Sequence, residues 1–144
     1  MGETKQVLEK NLAAWNAHDK AGWTGDIADD CEVRGPGVSG SGRELRDMFF
    51  SMWTDGFPDN RIKPSVIAGD GEDGLLEAVF EGTHTGTLNT PTGPIAATHK
   101  RVSIPFVTTS KIRGGRFESF HLYFDQVELM TQLGLMPAPA TARA

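Results

Sequence analysis

Apolar side chains recur along the first half of the chain with a helical period and along the second half with a strand period, which predicts three helices followed by a largely antiparallel sheet. Val7, Leu8, Leu12 and Trp15 form one stripe of a helix over Glu3 to Asp19, and Trp23 and Ile27 face inward together from a short helix over Lys20 to Ala28. Cys31 to Arg34 reads as a brief strand, and Gly35 to Gly42 (GPGVSGSG) as a connector. Ser41 with Glu44 three residues later has the form of a capping box. The helix it predicts carries Leu45, Met48, Phe49, Met52 and Trp53 as an apolar stripe and stops before Phe57-Pro58-Asp59. Extended segments follow at Ile62 to Ala68, Leu75 to Thr85 and Ala97 to Ile112, separated by a turn at 69–74 and a loop over Gly86 to Pro94. Pro105 interrupts the longest of them and marks a sheet edge or a bulge. A final helix spans Val127 to Leu133 and ends at Gly134.

The stretch Lys111 to Leu135 holds the candidate chemistry. Gly114-Gly115 predicts a hairpin, after which alternation puts Ser119, His121, Tyr123 and Asp125 on one face and Phe120, Leu122 and Phe124 on the other. A symmetric turn pairs Thr108 with His121, Phe106 with Tyr123 and Ile104 with Asp125, and a bulge would displace that register by one residue. Two readings follow. In one, the phenylalanine face is core and the His, Tyr and Asp meet water; in the other, both faces are covered and Asp125 sits in a cavity.

The 144 residues suit a single domain over 1–135 with a loose Pro- and Ala-rich tail over 136–144. A net charge of −5 argues against a nucleic-acid partner. No apolar run is long enough to span a bilayer and no secretory signal opens the chain, so a cytoplasmic protein with no membrane partner is expected. The single cysteine, Cys31, has no neighbour in sequence that would lower its pKa and reads as a small buried hydrophobe. His84, His99, His121 and Asp125 match no metal-ligand spacing, so neither metal nor cofactor is expected.

Several segments together look like one family. Trp15-Asn16-Ala17-His18-Asp19, Phe57-Pro58-Asp59, Gly82-Thr83-His84-Thr85-Gly86, Leu122-Tyr123-Phe124-Asp125-Gln126 and Gln132-Leu133-Gly134 span nearly the whole chain. In order and spacing it resembles the SnoaL-like polyketide cyclases of the nuclear transport factor 2 fold group. The resemblance implies an α+β fold, a cone-shaped barrel of curved, largely antiparallel sheet closed by the three N-terminal helices. It also implies a homodimer through the outer sheet face, in which Phe120, Leu122 and Phe124 would meet the partner.

For chemistry, the resemblance implies metal-free acid/base catalysis of an intramolecular aldol ring closure on a hydrophobic carbonyl compound, with Asp125 as the acid and base. Such a carboxylate needs a raised pKa, which apolar neighbours such as Ile104 and Phe106 supply. His121 is a second catalytic candidate on the same face; Tyr123, Phe49, Trp53 and His84 join Ile104 and Phe106 as candidate substrate-binding residues. The alternatives on the same fold are a ketosteroid-isomerase-like isomerase, an epoxide hydrolase, or a non-catalytic small-molecule-binding module.

Overall fold

The computed structural model describes residues 2–137. In chain order these form α1 (Gly2–Asn16), α2 (Lys20–Gly25), β1 (Ile27–Gly35), β2 (Val38–Ser41), α3 (Arg43–Gly56), β3 (Arg61–Asp70), β4 (Asp73–Thr83), β5 (Leu88–Thr90), β6 (Gly93–Ile95), β7 (Arg101–Arg113), β8 (Arg116–Phe124) and α4 (Gln126–Gln132). Six strands make one curved sheet in the order β2-β1-β8-β7-β4-β3, antiparallel throughout except for the parallel pair β1 and β8. Helices α1 to α3 cover one face of it, α1 over β3 and β4 and α3 over β1. The α+β expectation therefore stands. The curved sheet is open at its edge strands β2 and β3 and is closed by the helices, as expected.

The helices bury what their periodicity exposes to the sheet, with local corrections. α1 buries Thr4, Leu8, Asn11 and Trp15, so two polar side chains share the apolar stripe. α3 buries Phe49, Phe50 and Met52, while Met48, expected on the stripe, is exposed. The cap of α3 is Gly42 with no side-chain hydrogen bond, so the Ser41/Glu44 capping box is not made. The expected connector contains β2, and the expected loop over Gly86 to Pro94 contains the β5–β6 hairpin.

Polar side chains fasten the C-terminal end of α1 to the start of β3. Trp15 Nε1 donates to Asn60 Oδ1 at 2.7 Å, and the Asn16 side chain both accepts from Ile62 N at 2.8 Å and donates to Ile62 O at 2.9 Å. His18 Nε2 bonds the Asn60 carbonyl at 2.9 Å, and Asp19 caps α2 through Gly22 N at 3.0 Å. The Trp-Asn-Ala-His-Asp segment is thus a clasp that satisfies backbone groups between two elements.

The β7–β8 hairpin decides what faces inward. Gly114 and Gly115 have φ of 57° and 78°, the left-handed pair that a two-residue hairpin turn requires, and Arg113 pairs with Arg116 as expected. The register then slips: Ile112 pairs with Phe117 but Lys111 with Ser119, so Glu118 is an extra residue in β8. Phe117 and Phe120 consequently point the same way. From there His121 pairs with Thr109, Tyr123 with Val107 and Phe124 with Phe106, one residue away from the symmetric expectation. That single slip assigns Phe120, Leu122 and Phe124 to the covered face and His121 and Tyr123 to the open one.

β8 ends at Phe124, and the chain turns directly into α4. Asp125 is the N-cap, its Oδ1 accepting from Val127 N at 2.9 Å and Glu128 N at 3.2 Å. Beyond the end of β8, the Gln132 side chain takes the place of the missing strand, accepting from Ser103 N at 2.7 Å and donating to Ser103 O at 3.0 Å. Pro105 lies two residues along on the same backbone edge, where no strand asks for its N–H. That is why a proline is tolerated inside β7 without a bulge against β4. Of the expected tail, 138–144 lie outside the described residues.

Candidate functional site

Between the helices and the covered sheet face lies a cavity of about 80 Å3. Its floor comes from Leu76, Phe80, Ile104, Phe106, Leu122 and Phe124, and its roof from Leu8, Leu12, Trp15, Phe49 and Trp53; Leu129 of α4 adds to the wall. The aromatic rings brace one another: Trp23 stacks on Phe49 at 6.0 Å, Phe49 meets Phe120 edge-on at 5.4 Å, and Trp53 meets Phe80 at 5.4 Å and Phe124 at 5.7 Å. A wall of interlocked rings holds its shape and favours flat apolar guests.

Only Asn11 and Thr108 bring a side-chain amide or hydroxyl to this wall, and no titratable side chain lines it. Asn11 Nδ2 donates to the Trp23 carbonyl at 3.0 Å, tying α1 to α2. Thr108 stands on β7 between Leu76 of β4 and Leu122 of β8. At about 80 Å3 the space is well below the ~300–1,000 Å3 typical of pockets for drug-sized ligands and below the ~150 Å3 of a cavity that takes benzene, so a guest of one ring is accommodated with some movement of the wall.

Of the residues singled out from sequence, Ile104, Phe106, Phe49 and Trp53 line the cavity. Asp125, His121, Tyr123 and His84 do not. Asp125 is exposed and spent on the α4 cap, not held beside Ile104. His121 lies on the open face of the sheet, its Nε2 2.7 Å from Glu32 Oε1 and 3.3 Å from Arg34 Nη2. The His121 contact holds the Glu32 carboxyl below its ordinary range. Tyr123 is 53% exposed. Phe120, Leu122 and Phe124, expected to meet a partner subunit, line the cavity instead. For the β8 residues and Asp125 the physical reason is the Glu118 bulge together with the end of β8 at Phe124.

His84 is buried at the base of the β5–β6 hairpin, its ring 5.2 Å from that of Phe57. Its Nδ1 accepts from Thr98 N at 3.2 Å and lies 2.9 Å from Thr98 Oγ1, which places the ring proton on Nε2. Burial pushes its pKa below the ordinary histidine value. It acts as a structural pin, away from the cavity. Cys31 is buried, and burial, with Asp30 and Glu32 adding to it, pushes its thiol up to about 12, so it is an inert core residue.

Sequence reasoning missed Asn11, Trp23, Phe117, Phe120, Leu122 and Thr108. For Asn11 the signal was present: it sits three residues after Leu8 and four before Trp15, squarely on their stripe. Among the described residues no group of three or more His, Cys, Asp or Glu is arranged to hold a metal ion, and no helix is long and apolar enough to cross a membrane.

A four-helix, curved-sheet domain with a cavity between its layers is the nuclear transport factor 2-like class of fold, and solved structures agree. AclR from Streptomyces galilaeus superposes with a TM-score of 0.84 at 21% identity, covering 99% of this chain and 88% of AclR. A SnoaL-like protein from Jannaschia sp. CCS1 gives 0.82 at 16% identity over 94% of each chain. TerC, co-crystallised with polyporic acid, gives 0.72 at 15% identity over 92% of this chain and 98% of its own. Among curated protein sequences none matches. The model of the SnoaL-like polyketide cyclases matches residues 5–133, and the chain belongs to that family.

Proposed function

We propose that the protein takes a small, neutral, largely apolar carbonyl compound into the aromatic cavity and promotes its ring closure there, the reaction type that gives its family its name. The observation that carries this is the wall itself: interlocked aromatic and aliphatic side chains, two uncharged polar groups and no ionisable one. Such a wall contributes by confinement, holding the two reacting carbons of a folded guest in contact, while water takes the proton released by the attacking carbon and returns one to the carbonyl oxygen that becomes the new hydroxyl. The co-crystallisation of TerC with polyporic acid fits a fold that accepts small molecules.

Acid/base catalysis through Asp125, the finer reading from sequence, requires that carboxylate inside the cavity. Its exposure and its capping hydrogen bonds speak against it, and the open-face position of His121 speaks against a histidine in its stead. Asp125→Asn separates the two readings, because asparagine caps a helix as well as aspartate but cannot carry a proton between carbons. We expect ring-closing turnover of an aromatic ketone substrate to stay within about twofold of the parent. A loss of about a hundredfold with α4 intact would return the carboxylate to the mechanism.

A second reading, a small-molecule-binding module without chemistry, is favoured by the same unionisable wall; binding of such a ketone without any turnover would select it. The wall offers no polar set to hold the water of an epoxide hydrolase. For the partner, a homodimer through the open sheet face is supported by different residues from those first expected: Val66, Leu75 and Tyr123 are exposed there beside Val107. Sedimentation of Tyr123→Lys against the parent tests it, a shift from dimer to monomer being the expected result.

A further inference from the structure

The inward positions of β7 run Val102, Ile104, Phe106, Thr108, Ser110 and Ile112, so two hydroxyls interrupt an otherwise apolar row. Thr108 is 3% exposed and lines the cavity; Ser110, one step further along the same face, is buried with an Oγ that finds no partner among the described residues. In the helical layer, Asn11 is 6% exposed and also lines the cavity. Its Nδ2 is committed to the Trp23 carbonyl, which fixes the amide, and its Oδ1 accepts no hydrogen bond among the described residues. Buried polar groups are normally hydrogen-bonded, and those left over in a structure call for a partner supplied from elsewhere.

From this placement we infer that the ligand is polarised: a neutral, flat, ring-sized molecule with one hydroxyl directed to the Asn11 and Thr108 end of the cavity and an apolar remainder directed to Trp53, Phe124 and Leu129. The inference rests on the cavity being the binding site, as proposed above. A hydroxyl is the group that answers both partners, donating to the Asn11 Oδ1 and accepting from the Thr108 hydroxyl. A charged ligand is rejected, since the wall offers no counter-ion and burial of an unpaired charge is strongly unfavourable. Thr108 is thus a specificity-determining residue: a threonine and a valine are the same shape, and the difference between them at this position is one hydroxyl.

Toluene and p-cresol differ by that same hydroxyl, and each carries a single ring. Their binding to the full-length protein is followed through the indole N–H resonances of Trp15, Trp23 and Trp53, all of which line the wall. We expect p-cresol to bind about fivefold more tightly than toluene, and Thr108→Val to abolish that preference. Thr108→Ser, which keeps the hydroxyl, should keep the preference and controls for disturbed packing. A toluene complex with no preference for p-cresol, or a preference that survives Thr108→Val, overturns the polarised-ligand inference alone. Failure of both probes to perturb the indole signals overturns it together with the cavity reading on which it rests.

Discussion

The two faces of β8 show how differently one strand can be used. On the covered face Phe117, Phe120, Leu122 and Phe124 join the rings of α1 to α3, whereas on the open face His121 and Tyr123 meet Glu32, Arg34 and solvent. The reactive-looking residues of β8 lie on the open side, His121 beside a groove also lined by Thr109, Lys111 and Ser119, and the aromatic cavity has no ionisable residue among those described. Titratable groups here serve solubility and fastening, while selectivity lies in shape. If that contrast is right, the covered face should dominate stability. Phe117 is 2% exposed, and Phe117→Ala is expected to lower the free energy of unfolding by about 3–5 kcal/mol in a denaturant titration. A loss under about 1 kcal/mol would mean that this face is not the packed one.

An intermediate effect is expected on acidification, because His84 is a titratable group on the buried side. Its folded pKa lies below the ordinary 6.5, so between the two values the unfolded chain binds a proton that the folded chain resists. Stability is therefore undiminished above about pH 6.5 and falls as the pH drops through the folded value. The loss is limited by opening of the β5–β6 hairpin alone, which lets the ring charge without global unfolding. Melting curves of the parent and His84→Gln between neutral and mildly acidic pH check this: the variant should lose part of the slope, and an identical slope would place His84 outside the account.

Much of the scaffold was legible from residues, and the reasons for the rest are specific. Helical and strand periods gave α1, α3 and the four long strands, and Gly114-Gly115 gave the hairpin. The family motifs pointed to the correct fold, yet the residues in them are largely fasteners: Asn16 on Ile62, Asp19 on α2, Asp125 on α4 and Gln132 on Ser103. The inward face of β8 was misread because alternation fixes which residues share a face but not which face is covered. One inserted residue, Glu118, reverses the answer. Thr108 could not be found at all without that register, whereas Asn11 could.

Asp125 tests the fastening role directly. Replacing it by alanine removes the acceptor for two α4 amides, and the expected cost is about 1 kcal/mol. Hydrogen exchange should quicken at 126–132 and stay unchanged in β4 and β7, since α4 opens without the sheet. Because Leu129 of α4 belongs to the cavity wall, p-cresol affinity should weaken modestly through the helix, while Asp125→Asn leaves both exchange and affinity near the parent. Uniformly faster exchange across the sheet would make Asp125 a global determinant and blur the distinction between cap and core.

The smallest effect is expected on the open face. His121→Ala removes the contact to Glu32 and the approach of Arg34, both carried by side chains with ready access to water. Exposed pairs of this kind contribute about 0–1 kcal/mol, and their screening by salt should make the difference vanish at high ionic strength. The measurable consequence lies in the partner: with the imidazole gone, the Glu32 carboxyl should titrate closer to its ordinary value, which carbon-detected NMR across acidic pH can follow. The stability linked to Glu32 is present above its unfolded pKa and lost as the pH falls through the folded one, so any difference between parent and variant belongs to that acidic window. Ligand affinity should not change, because β8 separates His121 from the cavity and no wall residue touches it by hydrogen bond. A marked loss of p-cresol binding in His121→Ala would show that the open face communicates with the covered one, and the division of labour along β8 would have to be abandoned.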